Sequence, residues 1–179
     1  VIWIEDANPQ DVPLPDVAPL GTVSGWDIER IAFFHDPGTD LLYVGIQTYG
    51  IAGDADGNGD PAAEGAALNA IGGVDRPNLG VGESLAIAID TDGDGDFDLI
   101  FGVPSSGDIA DAGAHVFDGS PTAPGDAFGA AWPGLGVTVF VNPSAAQPHL
   151  ELTVSGWSTA TDGDGFSALI FFGSSVDAE

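Results

Sequence analysis

Residues 83–103 read ESLAIAIDTDGDGDFDLIFGV, and this stretch decides the fold of the chain. Leu85, Ile87 and Ile89 alternate with alanines, which is the period of two that is typical of a β-strand. The apolar pattern returns within residues 97–103, so we expect a second strand to follow directly. The turn between the two strands carries a carboxylate at every second position: Asp90, Asp92, Asp94, Asp96 and Asp98.

Five carboxylates in one short turn repel one another. Two like charges about 4–6 Å apart cost roughly 3–4 kcal/mol at an effective dielectric constant near 20. The chain has no lysine, and its two basic residues, Arg30 and Arg76, are not next to this turn. We therefore expect a cation from outside the chain to bind among the carboxylates.

The spacing of these residues is that of the first half of a calcium-binding loop, in which oxygen ligands alternate and a glycine allows a sharp turn. Counted from Asp90 as position one, the further positions three, five, six, seven and nine are Asp92, Asp94, Gly95, Asp96 and Asp98. Position twelve is Phe101, where a helix–loop–helix calcium site has a glutamate. The sequence thus predicts a turn between two strands that is filled by calcium (Ca²⁺), with the missing ligand supplied by another loop or by water.

A second acidic turn, DADGNGD at residues 54–60, repeats this spacing with less charge. Its predicted ligands, at positions one, three, five and seven, are Asp54, Asp56, Asn58 and Asp60. Position twelve is a glycine, so the closing ligand is expected from Glu64, Asp75 or Glu83. A third turn contains Asp162 and Asp164, and with two carboxylates it is better explained as a plain turn than as a cation site.

The composition excludes several classes of protein. A formal net charge of −26 opposes binding to nucleic acid or to an anionic membrane surface. No apolar run reaches the roughly 18 residues that a membrane span requires. The absence of cysteine excludes disulfides and thiol chemistry. The three histidines stand apart in sequence, no serine lies in a nucleophile elbow, and so we expect no enzymatic activity.

The remaining sequence predicts an all-β protein. About nine short apolar segments, separated by turns rich in glycine, proline and aspartate, favour an antiparallel β-sandwich of jelly-roll-like topology with long calcium-stabilised loops. Residues 118–133 are expected to form a surface excursion without a strand. We predict a single sandwich domain over residues 20–179, preceded by residues 1–19 as a separate strand and tether.

The N-terminal strand VIWIE at residues 1–5 is followed by a tether that contains Pro9, Pro13, Pro15 and Pro19. Proline lacks a backbone donor and extends the chain, so the tether is not a strand of the sheet. Two outcomes remain open for residues 1–5. The strand folds back as an edge strand of its own domain, or it inserts into a neighbouring subunit and builds a polymer.

One resemblance supports this interpretation. The runs SGWDIERIAFFHDPGTDLLYVGIQT (residues 24–48) and ESLAIAIDTDGDGDFDLIFGVP (residues 83–104), with GIAGDADGNGD and GGVDRPN between them, resemble secreted bacterial and archaeal surface modules. They are similar in outline to family-nine carbohydrate-binding modules and DOMON-like sandwiches. The resemblance implies a calcium-bearing extracellular sandwich, and for the carbohydrate-binding modules a saccharide held between aromatic side chains.

The sequence therefore predicts an extracellular, secreted calcium-binding protein with a structural or adhesive role at the cell surface. The predicted partner is a second copy of the chain, in a fibre or surface layer that forms by exchange of the N-terminal strand. The alternative is a carbohydrate-binding module whose partner is a polysaccharide.

Overall fold

The computed structural model describes residues 1–5, 25–54, 56–63, 66, 79, 83–121, 124–142, 150–161 and 166–174. Within these ranges the chain forms ten strands: β1 (Ile2–Glu5), β2 (Ile28–Asp36), β3 (Leu41–Thr48), β4 (Glu83–Asp90), β5 (Leu99–Val103), β6 (Gly113–Phe117), β7 (Phe128–Ala131), β8 (Gly136–Val141), β9 (Leu150–Ser155) and β10 (Ser167–Ser174). Three 3₁₀ turns lie at Ile109–Asp111, Pro124–Asp126 and Trp157–Thr159. In these parts of the chain, no helix has the length and apolar character needed to cross a membrane.

The strands form two five-stranded sheets, with the orders β1-β2-β3-β9-β8 and β10-β4-β5-β6-β7. The predicted all-β, antiparallel β-sandwich class is confirmed. The neighbours β3–β9 and β4–β10 are remote in sequence, as strands of jelly-roll-like topologies often are.

The contacts of the chain group it into two compact units. The first unit contains Val1–Phe33, Val44–Leu79 and Phe140–Glu151, and the second contains Phe34–Tyr43, Gly80–Val139 and Leu152–Glu179. The second unit holds the whole β10-β4-β5-β6-β7 sheet, which carries the first acidic turn. The first unit holds β1 and the second acidic turn.

The centre of the second unit is the antiparallel pair β4–β5, in which every residue is buried. The predicted alternation explains this. Ile87 faces Phe101 across the pair, and on the opposite face of the sheet Ala88 faces Ile100. Ala86 and Ile100 belong to a buried cluster with Ala127, so the small-residue face is covered as well as the large one.

In the first unit, β1 pairs antiparallel with β2 of the same chain and forms an edge of its sheet. Ile2 and Ile4 lie opposite Phe33 and Ile31 in this register, so they share a face with two buried side chains. Ile2 and Ile4 are nevertheless 63% and 52% exposed. The strand is thus an edge strand with an incompletely covered apolar face, and its exchange between subunits stays a prediction.

The expectation for residues 118–133 was wrong in one respect, because Phe128–Ala131 forms β7 at the edge of the second sheet. The sequence FGAA lacks the alternation of large apolar residues that marks a buried strand. Its pairing with β6 is also irregular, with a register shift between His115 and Phe117. An edge strand that buries little of its surface leaves a weak pattern in the sequence.

The β2–β3 turn is attached to the 3₁₀ turn that follows β9, and sequence reasoning did not foresee this link. The Asp40 carboxylate accepts hydrogen bonds from the Ser158 backbone N–H at 2.8 Å and from the Ser158 hydroxyl at 2.9 Å. These bonds favour the ionised carboxylate, so the pKa of Asp40 lies below its usual value of 3.8, and His35 contributes in the same direction.

Gly102 in β5 is a position that only glycine can occupy. Its φ is +140°, and a Cβ there would lie 1.9 Å from the Leu85 carbonyl oxygen. We expect Gly102→Ala to reduce the free energy of unfolding by more than about 3 kcal/mol, because the clash is with backbone of the buried partner strand. Urea denaturation measures the change.

Gly119→Ala is the matched control, because within the described part of the chain a Cβ at Gly119 meets only the Phe117 side chain, at 3.4 Å. We expect this variant to unfold within about 0.5 kcal/mol of the parent chain. Equal stability of the two variants would contradict the assigned β4–β5 register.

The Asp40 link predicts a pH dependence. Because the native pKa of Asp40 is lowered, its ionisation stabilises the fold above the unfolded value of 3.8, and this contribution disappears as the pH falls through the native pKa. Asp40→Asn should therefore lower the melting temperature at neutral pH, and the gap to the parent chain should close in acid. In acid, Asp40 is protonated and both chains carry a neutral side chain at position 40. A difference in melting temperature that persists there would contradict this assignment.

Candidate metal centre

The first acidic turn is built directly on the central strand pair. Asp90 is the last residue of β4, and Asp98 immediately precedes β5. The backbone of Asp98 is fixed on both sides: its N–H donates to the Ile89 carbonyl at 3.0 Å, and its carbonyl accepts from the Phe117 N–H at 2.7 Å. Both ends of the turn are therefore held in place by the sheet.

Three carboxylates of the turn converge. Asp90, Asp92 and Asp98 each offer an oxygen, and these oxygens all lie within 4.8 Å of one another. Asp90 is buried, Asp98 is half-buried and Asp92 is exposed, so the group opens to solvent on one side. Such a group could hold a metal ion, because a cation between the oxygens replaces repulsion with attraction.

Backbone donors hold Asp90 and Asp98 in place. Asp90 accepts from the Gly93 N–H at 2.7 Å through Oδ1 and from the Gly95 N–H at 3.1 Å through Oδ2. Asp98 Oδ2 accepts from both the N–H and the hydroxyl of Thr91, at 2.9 and 2.7 Å. Each oxygen of Asp90 accepts one of these bonds and keeps a lone pair, and the two bonds to Asp98 both end on Oδ2 and leave Oδ1 for a cation.

The other two predicted ligands of this turn lie outside the convergent group. The side chains of Asp94 and Asp96 are exposed. Asp94 Oδ1 accepts from the Asp96 N–H at 2.9 Å, in the same way that Asp92 Oδ1 accepts from the Asp94 N–H at 3.2 Å. A role for Asp94 through its side chain, and for Asp96 through its carbonyl, stays a prediction.

The second acidic turn shares three side-chain hydrogen bonds with the first at equivalent positions, although Asp54 Oδ1 accepts from the Asn58 N–H at position five, whereas Asp90 Oδ1 accepts from the Gly93 N–H at position four. The Asp54 carboxylate accepts from the Gly59 N–H at 2.7 Å, as Asp90 does from Gly95. Asp56 accepts from the Asn58 N–H at 3.0 Å, and Asn58 accepts from the Asp60 N–H at 2.7 Å. The two turns thus have similar backbone conformations, although they share no strand.

Glycines at positions four and six permit this course in both turns. Gly57 and Gly59 have φ values of +66° and +91°, and Gly93 and Gly95 have values of +77° and +98°. Side chains other than glycine rarely adopt these values. The shared conformation explains why glycine alternates with aspartate in both sequences.

Burial distinguishes the second turn from the first. Asp54 and Asp56 are 2% and 4% exposed, whereas Asn58 and Asp60 are exposed. Burial raises the pKa of Asp54, and the neighbouring Asp56 carboxylate acts in the same direction. Burial disfavours the charged form of this carboxylate, and a cation bound beside it would favour that form.

A close backbone contact holds the second turn to the start of β2. The Gly25 N–H donates to the Asp54 carbonyl at 2.8 Å. A Cβ at Gly25 would lie 1.7 Å from the Ile51 carbonyl oxygen, so this approach requires glycine. A backbone hydrogen bond therefore holds Asp54 in place, as backbone hydrogen bonds hold Asp98 in the other acidic turn.

Of the three residues predicted to supply the closing ligand of the second turn, the structure describes Glu83. Glu83 begins β4 and is 2% exposed. Glu64 and Asp75 lie outside the described residues, as do Asp162 and Asp164, which the sequence predicts to lie in a plain turn. The spacing of the acidic residues did not predict a role for Thr91, whose two hydrogen bonds orient Asp98.

The arrangement of His35, Asp40 and Ser158 is not that of a nucleophile and its base. His35 Nε2 lies 3.6 Å from Asp40 Oδ1, and the Ser158 hydroxyl donates to Asp40 Oδ2 rather than to the imidazole. A serine that donates to a carboxylate is not activated by the histidine. His115 Nδ1 contacts the Gly129 carbonyl at 2.9 Å, and His149 lies outside the described residues.

Comparisons with family models, with curated protein sequences and with solved structures gave no match to this chain. The resemblance to family-nine carbohydrate-binding and DOMON-like modules stays a prediction.

Proposed function

We propose that the chain is an extracellular structural or adhesive β-sandwich whose acidic turns bind calcium. The observation that carries the proposal is the convergence of Asp90, Asp92 and Asp98 at the end of the buried β4–β5 pair. The repeated turn at Asp54–Asp60, with three hydrogen bonds at equivalent positions, supports it.

The donor chemistry favours calcium over other cations. Every candidate ligand is a carboxylate, amide or backbone oxygen, which hard cations prefer, and the chain has no cysteine. Calcium accepts six to eight oxygens in irregular geometry, so water can complete a turn that lacks the usual glutamate. Magnesium demands a near-ideal octahedron and releases water reluctantly, which suits these half-open turns less well.

The proposed location follows from the same chemistry. Sites with incomplete protein ligation bind calcium weakly, with dissociation constants of roughly 10⁻⁴–10⁻³ M in extracellular modules. Such sites fill outside the cell, where calcium is abundant. The net charge of −26 is consistent with a protein that works where cations screen it.

A calcium ion in the first turn would stabilise the central strands, because Asp90 and Asp98 continue β4 and β5. Free calcium at about 100 times the dissociation constant adds roughly 2.7 kcal/mol per site. We expect chelation to lower the melting temperature by at least several degrees, and Asp98→Asn to remove most of this difference.

Asp118→Asn is the matched control for that experiment. Asp118 is also an exposed turn aspartate, and it accepts a hydrogen bond from the Ser120 N–H at 3.0 Å, but it is not in the convergent group. The control should respond to calcium as the parent chain does. A parent chain that melts at the same temperature with and without calcium would refute the proposal.

We further propose that copies of the chain assemble through β1. A short edge strand is readily replaced by the same strand of a neighbour. The partial exposure of Ile2 and Ile4 beside buried Ile31 and Phe33 supports this, because a neighbouring copy could cover apolar surface that the chain itself leaves open.

Deletion of residues 1–19 should abolish assemblies seen by electron microscopy in calcium. Phe140→Ser is the matched control, since Phe140 is equally exposed, at 60%, but lies on β8. We expect the control to assemble normally. Assemblies that survive the deletion would rule out strand exchange.

The alternative function, carbohydrate binding, has one supporting observation. Phe34 and Tyr43 stack with ring centroids 6.1 Å apart at 23°, and both are exposed. Two stacked, exposed rings are a surface on which a sugar ring could pack. Polysaccharide binding by the deleted chain, in the absence of any assembly of the full chain, would favour this alternative.

A further inference from the structure

We propose that Asn58 is a site of spontaneous covalent modification, at which the side-chain amide is lost and an acidic residue takes its place. The chain has glycine directly after this asparagine, and both residues are exposed. Among the residues that the structure describes, nothing lies within 4 Å of the position that a Cβ on Gly59 would occupy. The backbone nitrogen of Gly59 is therefore the least hindered nucleophile that an asparagine side chain can meet.

The reaction uses the chain's own atoms and water. The Gly59 backbone nitrogen bonds to Cγ of Asn58, the Cγ–Nδ2 bond breaks, and the amide leaves as ammonia with the proton from the Gly59 nitrogen. A cyclic imide remains. Water then opens the ring at either carbonyl and gives aspartate or isoaspartate at residue 58. No oxidant or reductant is required.

The folded turn holds these atoms apart. The Gly59 N–H donates to Asp54 Oδ2 at 2.7 Å, so the nitrogen is turned toward Asp54 and not toward Cγ of Asn58. Asn58 Oδ1 accepts from the Asp60 N–H at 2.7 Å, and Asn58 Nδ2 donates to the Ala63 carbonyl at 2.9 Å. All three bonds must break before the ring can form, so folding protects Asn58.

The modification would make the second acidic turn more like the first. Conversion of Asn58 to aspartate changes residues 54–60 from DADGNGD to DADGDGD, which matches DTDGDGD at residues 90–96 at every acidic and glycine position. The modified turn would carry one more carboxylate, so its need for a bound cation would be greater than that of the unmodified turn. This consequence for calcium rests on the proposed function, whereas the modification itself depends only on the hydrogen bonds of the turn.

The test follows the side-chain amide by peptide mass spectrometry during incubation of the whole chain at neutral pH, once folded and once in urea. Asn142 is an internal reference, because the next residue is proline and has no N–H to supply. In urea we expect Asn58 to lose its amide at least about tenfold faster than in the folded chain, while Asn142 is retained in both.

Asp54→Ala, studied without urea, should accelerate the loss at Asn58, because it removes the acceptor of the Gly59 N–H. Asp60→Ala is the matched control. It removes a nearby carboxylate but keeps the backbone N–H of residue 60, from which Asn58 Oδ1 accepts a hydrogen bond. The urea comparison decides the matter if Asp54→Ala does not fold.

Three results would overturn the proposal: retention of Asn58 in urea for as long as Asn142, equal rates in the folded and unfolded chain, or equal rates in the two variants when both fold. None of these results depends on calcium binding. Failure of the proposed calcium function would appear instead as an unchanged melting temperature on chelation.

Discussion

The constraint on which the structure depends is electrostatic repulsion at the end of its best-packed strands. β4 and β5 are buried along their whole length, and the turn that joins them brings Asp90, Asp92 and Asp98 together. Carboxylates at this separation oppose one another by a few kcal/mol, which is a large part of a typical stability of about 5–15 kcal/mol. A turn of this kind is compatible with a rigid strand pair if positive charge is supplied to it.

The chain reduces the cost with backbone hydrogen bonds but does not remove it. In both acidic turns the first aspartate accepts two backbone N–H groups, and the glycines at positions four and six allow the chain to present them. These bonds fix the direction of the two carboxylates. The result is a preformed set of oxygens, which lowers the ordering cost that a cation would otherwise meet on binding.

Much of this could be predicted from sequence, because the signals are local. The alternation in residues 85–89 predicts β4, and the spacing of aspartate and glycine predicts both turns. What could not be predicted depends on tertiary contacts. The four-residue strand β7 has almost no pattern of its own, and the bonds of Asp40 to Ser158 join residues far apart in sequence. Sequence spacing also treats the five aspartates of the first turn alike, whereas the fold separates Asp94 and Asp96 from the convergent three.

The central claim is that a cation lies between Asp90, Asp92 and Asp98. The most direct measurement is a crystal structure of the chain grown in calcium, with anomalous scattering used to locate the ion. The account predicts a calcium ion about 2.3–2.6 Å from oxygens of these three residues, with water among its other ligands. A well-ordered turn that holds only water at saturating calcium would contradict it.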